Sequence, residues 1–306
     1  MKPPPFDYVA PRSVEEAVAV LAAGGPEAKV LAGGQSLIPL LNFRLARPTL
    51  LVDLNRIAAL SYVAPGNGGV AIGAMTRQVT IERDINLART QPLLTEAIGW
   101  VGHPAIRSRG TVGGSLAHAD PAAELPAVAI CLDARFSIVG PRGRRAIKAE
   151  EFFQGYLTTA LEPDEILEEA WLPALAPSTG QAWLEFARRH GDFALVGVAA
   201  SITLMDHLVR DARIVLTGVG GNPVRVREAE TLLVGGSVAE RVGAAADAAR
   251  SAIEPDADIH ASREYRAHMA GLLTERAVRL AAERAAKGAP AALDVRRALE
   301  SMQRHA

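Results

Sequence analysis

Apolar positions in the first 172 residues fall in short runs, split by polar or glycine–proline breaks. Ser13-Val14-Glu15-Glu16 is a capping box that opens a helix running through Leu21 to Ala23, stopped at Gly24-Gly25-Pro26. Lys29-Val30-Leu31 reads as a strand and runs directly into Ala32-Gly33-Gly34-Gln35-Ser36-Leu37. Ile38 to Leu45 predicts a short helix, with Pro39 tolerated in its first turn, and Thr49 to Leu54 a strand. The runs at Leu60–Val63 and Val70–Ala74 flank Pro65-Gly66-Asn67-Gly68-Gly69, a hairpin signal. Helices are expected over Thr80 to Ile85, Gln91 to Val101 and Leu125 to Leu132, and a strand over Arg135 to Val139. Strands and helices alternate up to Leu172, which suggests α/β or α+β subdomains.

After the linker Pro173–Gly180 the pattern changes. Ala182 to Arg188, Ala194 to Met205 and Leu208 to Val219 read as three strands, with Asp206-His207 as a hairpin tip. Val226 to Leu233, Val238 to Ile253 and Arg263 to Lys287 carry helical periodicity. Three strands followed by three helices indicate a small α+β domain. A tail after Gly288, with Pro290 and a short charged helix, closes the chain. The expected division is 1–176, 177–288 and a tail, 289–306.

Composition narrows the function classes. Of 306 residues, 49% are hydrophobic and the formal net charge is −1, so no basic stripe invites nucleic acid. Aromatic residues make up only 5%, which argues against a base-stacking surface. The single cysteine, Cys131, lies in an apolar segment. One cysteine excludes an intrachain disulfide and a four-cysteine iron–sulfur cluster within this chain. No apolar run approaches membrane-spanning length, and the polar N-terminus lacks the apolar core of a secretory signal, so the expected location is the cytoplasm.

Two segments carry candidate chemistry: Ala32-Gly33-Gly34-Gln35-Ser36 and Thr111-Val112-Gly113-Gly114-Ser115. Both read as small–Gly–Gly–polar. Glycine lets the backbone adopt positive φ and lets an outside group approach the amides, and converging amides bind phosphate. Two such segments would serve the two phosphates of one dinucleotide. Gly218-Val219-Gly220-Gly221-Asn222-Pro223 resembles a Rossmann turn only at its start, because Pro223 replaces the last glycine. It is read as a tight strand-to-helix connection. The seven histidines are scattered without metal or triad spacing, so neither a metal site nor a set of catalytic residues is assigned. A site with phosphate segments and no general base suits a redox cofactor that brings its own chemistry.

The run Lys29 to Leu37, followed by Pro39-Leu40-Leu41-Asn42-Phe43-Arg44, resembles the first FAD loop of the medium subunit of molybdenum hydroxylases. This family includes the carbon-monoxide dehydrogenase flavoprotein and the FAD domain of xanthine dehydrogenase. Gly102–Arg107 and Arg109–Pro121 resemble the second loop, Ile72-Gly73-Ala74 with Thr76 a further element, and Arg188 with Gly191–Ala194 the start of the C-terminal domain. The resemblance covers nearly the whole chain. It implies an α+β protein: a PCMH-type FAD-binding domain of two α/β subdomains, plus a C-terminal three-stranded antiparallel sheet with a three-helix bundle.

FAD would lie extended between the subdomains. Implied contacts are Lys29, Leu31, Ala32, Gly33, Gly34, Gln35, Ser36 and Leu37, then Val101, Thr111, Gly113, Gly114 and Ser115, then Glu124, Leu167 and Phe193. Glu124 would meet the ADP half and Phe193 the isoalloxazine. Leu184-Glu185 stands where the family often has a lysine. The implied role is an electron-transfer subunit between the [2Fe–2S] clusters of a small partner and an external acceptor. A molybdopterin-containing large subunit would hydroxylate the substrate, within a dimer of heterotrimers. The alternative is a self-contained PCMH-type oxidase or reductase acting on its own substrate; a protein that has lost its cofactor is disfavoured by the intact glycines.

Overall fold

The computed structural model describes residues 2–66 and 68–287, so the expected tail lies outside the described residues. The chain forms two compact units, and each is discontinuous in sequence. Unit 1 comprises Met1–Thr80, His103–Ala119 and Asp133–Pro173; unit 2 comprises Ile81–Gly102, Asp120–Leu132 and Ala174–Ala306.

Unit 1 holds two main sheets. The smaller is parallel, in the order Asp7–Val9, Leu50–Asp53, Ala28–Leu31. Helix Val14–Gly24 buries Val14, Ala17, Val18 and Leu21, a one-face spacing, in a core shared with Val52, Ile57 and Leu60. Its N-terminus is capped as the sequence predicts: Ser13 Oγ accepts from Glu16 N–H at 3.1 Å. The Glu16 carboxylate accepts at 2.8 Å from Arg12 N–H, one residue before the cap. The larger sheet is antiparallel, in the order Val63–Gly66, Gly69–Gly73, Ile166–Pro173, Arg135–Gly140, Gly143–Lys148. Its central strand, Ile166–Pro173, follows both of its sheet neighbours in sequence, so no local signal announces the pairing.

In unit 2, Thr179–Phe186, Val196–Met205 and Leu208–Thr217 pair antiparallel, as expected. A two-residue strand, Val224–Arg225, adds a fourth. Asp206 and His207, at φ +51° and +66°, make the expected hairpin tip from two left-handed non-glycine residues. Helices Arg227–Leu233, Val238–Ser251 and Arg263–Lys287 follow, and their small buried residues share one core with the sheet.

Three helices from the N-terminal half, Ile85–Thr90, Pro92–Ile98 and Glu124–Cys131, also belong to unit 2. Pro92–Ile98 supplies Glu96, whose carboxylate receives a bidentate pair of bonds from Arg284 at 2.9 and 3.1 Å and one from Trp183 N–H at 3.2 Å. Glu124–Cys131 is buried at every position, which fits its uniformly apolar remainder. Cys131 is a buried free cysteine. The sequence reading missed helix Ile85–Thr90, which starts where the Asp84 carboxylate caps Asn86 and Leu87 N–H groups.

Candidate functional site

Both glycine pairs lie in unit 1, and they touch. A Cβ placed on Gly33 would sit 2.6 Å from Arg109 O and 2.8 Å from Gly110 Cα. One placed on Gly114 would lie 3.3 Å from Ala32 Cβ. Only hydrogen at these positions lets the two segments approach this closely.

The first pair is a true turn. It leaves strand Ala28–Leu31, passes through Gly34 at φ +74°, and enters helix Leu37–Asn42 at Ser36. Gly34 O accepts from Ile38 N–H at 3.1 Å, and Gly33 O accepts from the Gln35 side chain at 3.0 Å. Among the described residues, the N–H groups of Gly33, Gly34, Gln35 and Ser36 donate to no protein acceptor. Ser36 caps its helix by position only, because its hydroxyl makes no cap bond. Four successive unspent donors and a hydroxyl on a turn are the elements of an anion cradle.

The second pair differs from the expected loop. Gly113 and Gly114 lie in the first turn of helix Val112–His118, and their amides are already used. Gly113 N–H donates to Ala74 O at 2.8 Å, and Gly114 N–H to Thr111 Oγ1 at 3.0 Å. A Cβ on Gly113 would fall 2.8 Å from Ala74 Cα and O. The second pair therefore contributes close packing where the first contributes donors. Thr111 is the N-cap, and the Ser115 amide is satisfied by Thr111 O at 3.1 Å.

The remaining expected residues divide between the units. Lys29, exposed, and Leu31 lie on the strand that feeds the first turn, and Leu37 opens the helix after it. Leu167 is buried in the large sheet opposite Ile138, beside a bulge. Val101, Glu124 and Phe193 belong to unit 2. Phe193 is 62% exposed, whereas Glu124 is buried.

Sequence reasoning missed a polar cluster beside the first turn. Asp53, at the end of strand Leu50–Asp53, accepts from Tyr8 Oη–H at 2.5 Å and from Asn55 N–H at 2.8 Å. Burial alone would raise the Asp53 carboxyl. The bonds from Tyr8 and Asn55 and the Arg109 charge outweigh it, holding the pKa below the usual range. Asn55 and Arg77 continue this cluster. Their only sequence signals are a polar strand end and the Thr76-Arg77 that follows Ala74.

Glu185, noted in the sequence as a departure from the family pattern, is buried in unit 2. Burial, then the Glu124 charge, pushes its carboxyl up to about 9, against an opposing bond from Trp183 Nε1–H at 3.1 Å. Among the described residues its Oε1 has no hydrogen-bond partner.

Known proteins agree with this architecture. Residues 4–175 match the family described as FAD binding domain in molybdopterin dehydrogenase, and 181–281 the CO dehydrogenase flavoprotein C-terminal domain. The chain is 43% identical to the 6-hydroxypseudooxynicotine dehydrogenase complex subunit alpha of Paenarthrobacter nicotinovorans, over 93% of this chain and 97% of that one. It is 41% identical to caffeine dehydrogenase subunit beta of Pseudomonas sp. strain CBB1, with the same coverage, 93% and 97%. The structure superposes on carbon monoxide dehydrogenase from Hydrogenophaga pseudoflava with a TM-score of 0.91 and 41% identity, covering 93% of this chain and 99% of that one. Fold and matches together define a FAD-binding flavoprotein component of an oxidoreductase. The chain belongs to the medium-subunit family of molybdenum hydroxylases, with a PCMH-type FAD-binding domain. No described helix is long and apolar enough to cross a membrane.

Proposed function

We propose that this chain is the electron-transfer subunit of a molybdenum hydroxylase, holding FAD on the turn Ala32–Ser36. The observation that carries the reading is the run of four unspent amides at Gly33–Ser36 with the free Ser36 hydroxyl. That donor set fits a pyrophosphate. Bound FAD supplies one- and two-electron redox chemistry.

In this reading the first turn binds phosphate oxygens. Thr111, Gly113, Gly114 and Ser115 form the wall against which the turn is seated. Lys29, Leu31, Leu37, Val101, Glu124 and Leu167 complete the contacts, Glu124 toward the ADP half. The exposed Phe193 ring supplies an aromatic face for the isoalloxazine. The matched segments favour two functional domains, one up to about residue 176 and one from 177 to 288.

Electrons reach the subunit from the [2Fe–2S] clusters of a small partner and leave to an external acceptor. A molybdopterin-containing large partner performs the hydroxylation, in a dimer of heterotrimers. The single buried cysteine supports this division of labour, since a [2Fe–2S] cluster needs four protein ligands. The subunit names of the relatives support a multi-subunit assembly.

The test is isolation of the native complex, with mass spectrometry of its subunits and a substrate screen followed by flavin absorbance. Flavin bleaching only when molybdenum and iron–sulfur subunits are present is the expected result. Substrate bleaching of this chain alone would replace the reading with a self-contained flavin oxidase.

A further inference from the structure

We propose that Asn55 and Arg77 form a two-residue brace that sets the first glycine turn against the second glycine segment. FAD affinity then depends on this brace, although neither residue belongs to the cradle itself. The inference rests on the reading that the turn Ala32–Ser36 holds the cofactor.

The brace is built from directed bonds within unit 1. Asn55 Nδ2 donates to Ala32 O at 2.9 Å and to Asp53 Oδ1 at 2.5 Å. Asn55 Oδ1 accepts from Arg77 Nη2 at 2.5 Å. Its neighbours are two acceptors and one donor, so the amide has one satisfying orientation. The other arm of the guanidinium, Nη1, donates to Arg109 O. Arg109 O is the atom that Gly33 approaches most closely.

The Arg77 backbone is itself anchored to the second segment. Gln78 N–H donates to Gly110 O at 3.0 Å and Val112 N–H to Thr76 O at 3.0 Å, and Arg77 bridges Thr111. The Arg77 fork thus links Arg109 O directly, and Ala32 O through the Asn55 amide. Burial, and then the nearby Arg109 charge, weaken its hold on the proton, with Asp53 opposing them.

The physical need is clear from the turn. A glycine pair is the most flexible dipeptide available, and its four donors bind an anion well only if they point together beforehand. Among the described residues the amides themselves make no protein bonds that would fix them. Holding Ala32 O from behind fixes the peptide that leads into the turn and leaves the donor face open. Asn55 and Arg77 are positioning residues.

The test uses the full chain, stripped of flavin and titrated with FAD by fluorescence quenching, with the unfolding midpoint of each apo variant measured in parallel. Asn55→Ala, Arg77→Met and the double variant are each expected to weaken FAD binding by roughly tenfold or more. The double variant should be no weaker than the worse single one, because the two act as one unit. Arg77→Lys should bind as poorly as Arg77→Met, since one ammonium does not span both acceptors. Wild-type affinity in both single variants, additive losses, or full rescue by Arg77→Lys would overturn the brace. If Arg77→Met does not fold, exposed Asn55→Ala alone decides. Gly33→Val is the control for the underlying reading: normal FAD binding there removes the cradle, whereas loss there with normal binding in the brace variants removes only the brace.

Discussion

Gly33-Gly34 and Gly113-Gly114 share one sequence pattern and do opposite things with it. The first pair makes a left-handed turn whose amides are left unspent. The second begins a helix, and its amides close on Ala74 O and Thr111 Oγ1. Glycine serves conformation and donor access in the first case and the absence of a side chain in the second. A glycine pair in a sequence thus marks a need for space or for positive φ, and only the bonding of its amides shows which.

The sharpest way to break this contrast is valine at each pair. Gly113→Val drives a branched side chain into Ala74 backbone, so the chain is expected to lose about 3 kcal/mol or more of stability, with FAD loss as a by-product. Thermal unfolding of the apo chain measures it; an unchanged midpoint would show that the second pair is not a packing device. Gly34→Val strains φ +74° in a turn that carries little core. It is expected to reduce FAD retention at least tenfold with a smaller loss of stability, read by flavin content per chain after gel filtration.

Smaller changes probe the hydroxyls. Thr111→Ala removes a helix cap and should cost about 1 kcal/mol in apo stability. Ser36→Ala removes no cap bond, so its stability should stay within about 0.5 kcal/mol of wild type, while FAD binds several-fold more weakly. Equal stability losses in the two variants would erase the distinction between the pairs.

Acid separates them more gently. Asp53, which holds Asn55 behind the first turn, has a depressed pKa, so its contribution is complete above the unfolded value of about 3.9. It is lost as pH falls through the lower, folded value. The stability gap between wild type and Asp53→Asn should therefore be constant above about pH 5 and close only in stronger acid. The second pair is bonded to a carbonyl and a hydroxyl, neither of which titrates, and Thr111→Ala should show a gap independent of pH in that range.

What the sequence revealed was local. Ser13 with Glu16, the Asp206-His207 tip, and the three strands and three helices after the linker are each written in adjacent residues, and each is present. The helix start at Val112 was hidden because its two glycines are poor helix formers and tertiary packing overrides them. The insertion of Ile166–Pro173 between strands from residues 69–73 and 135–140 is a long-range pairing with no local trace. The glycine segments were recognisable as candidate site elements for the same reason the cap was. Asn55 and Arg77 were not, since their significance arises from partners 22 to 32 positions away, and Glu185 stood out only as a departure from a family pattern, its burial being a matter of tertiary packing.

Discontinuity of the units carries a consequence for synthesis and for dissection of the gene. Helices Pro92–Ile98 and Glu124–Cys131 leave the ribosome early, yet the strands they pack on lie beyond residue 178. A nascent chain that has just finished unit 1 still carries those apolar helices without their sheet, a species open to chaperones and to aggregation. A fragment ending near residue 176 would keep that exposure permanently. The shorter cut suggested by the two matched sequence families is thus the wrong place to divide this protein for expression.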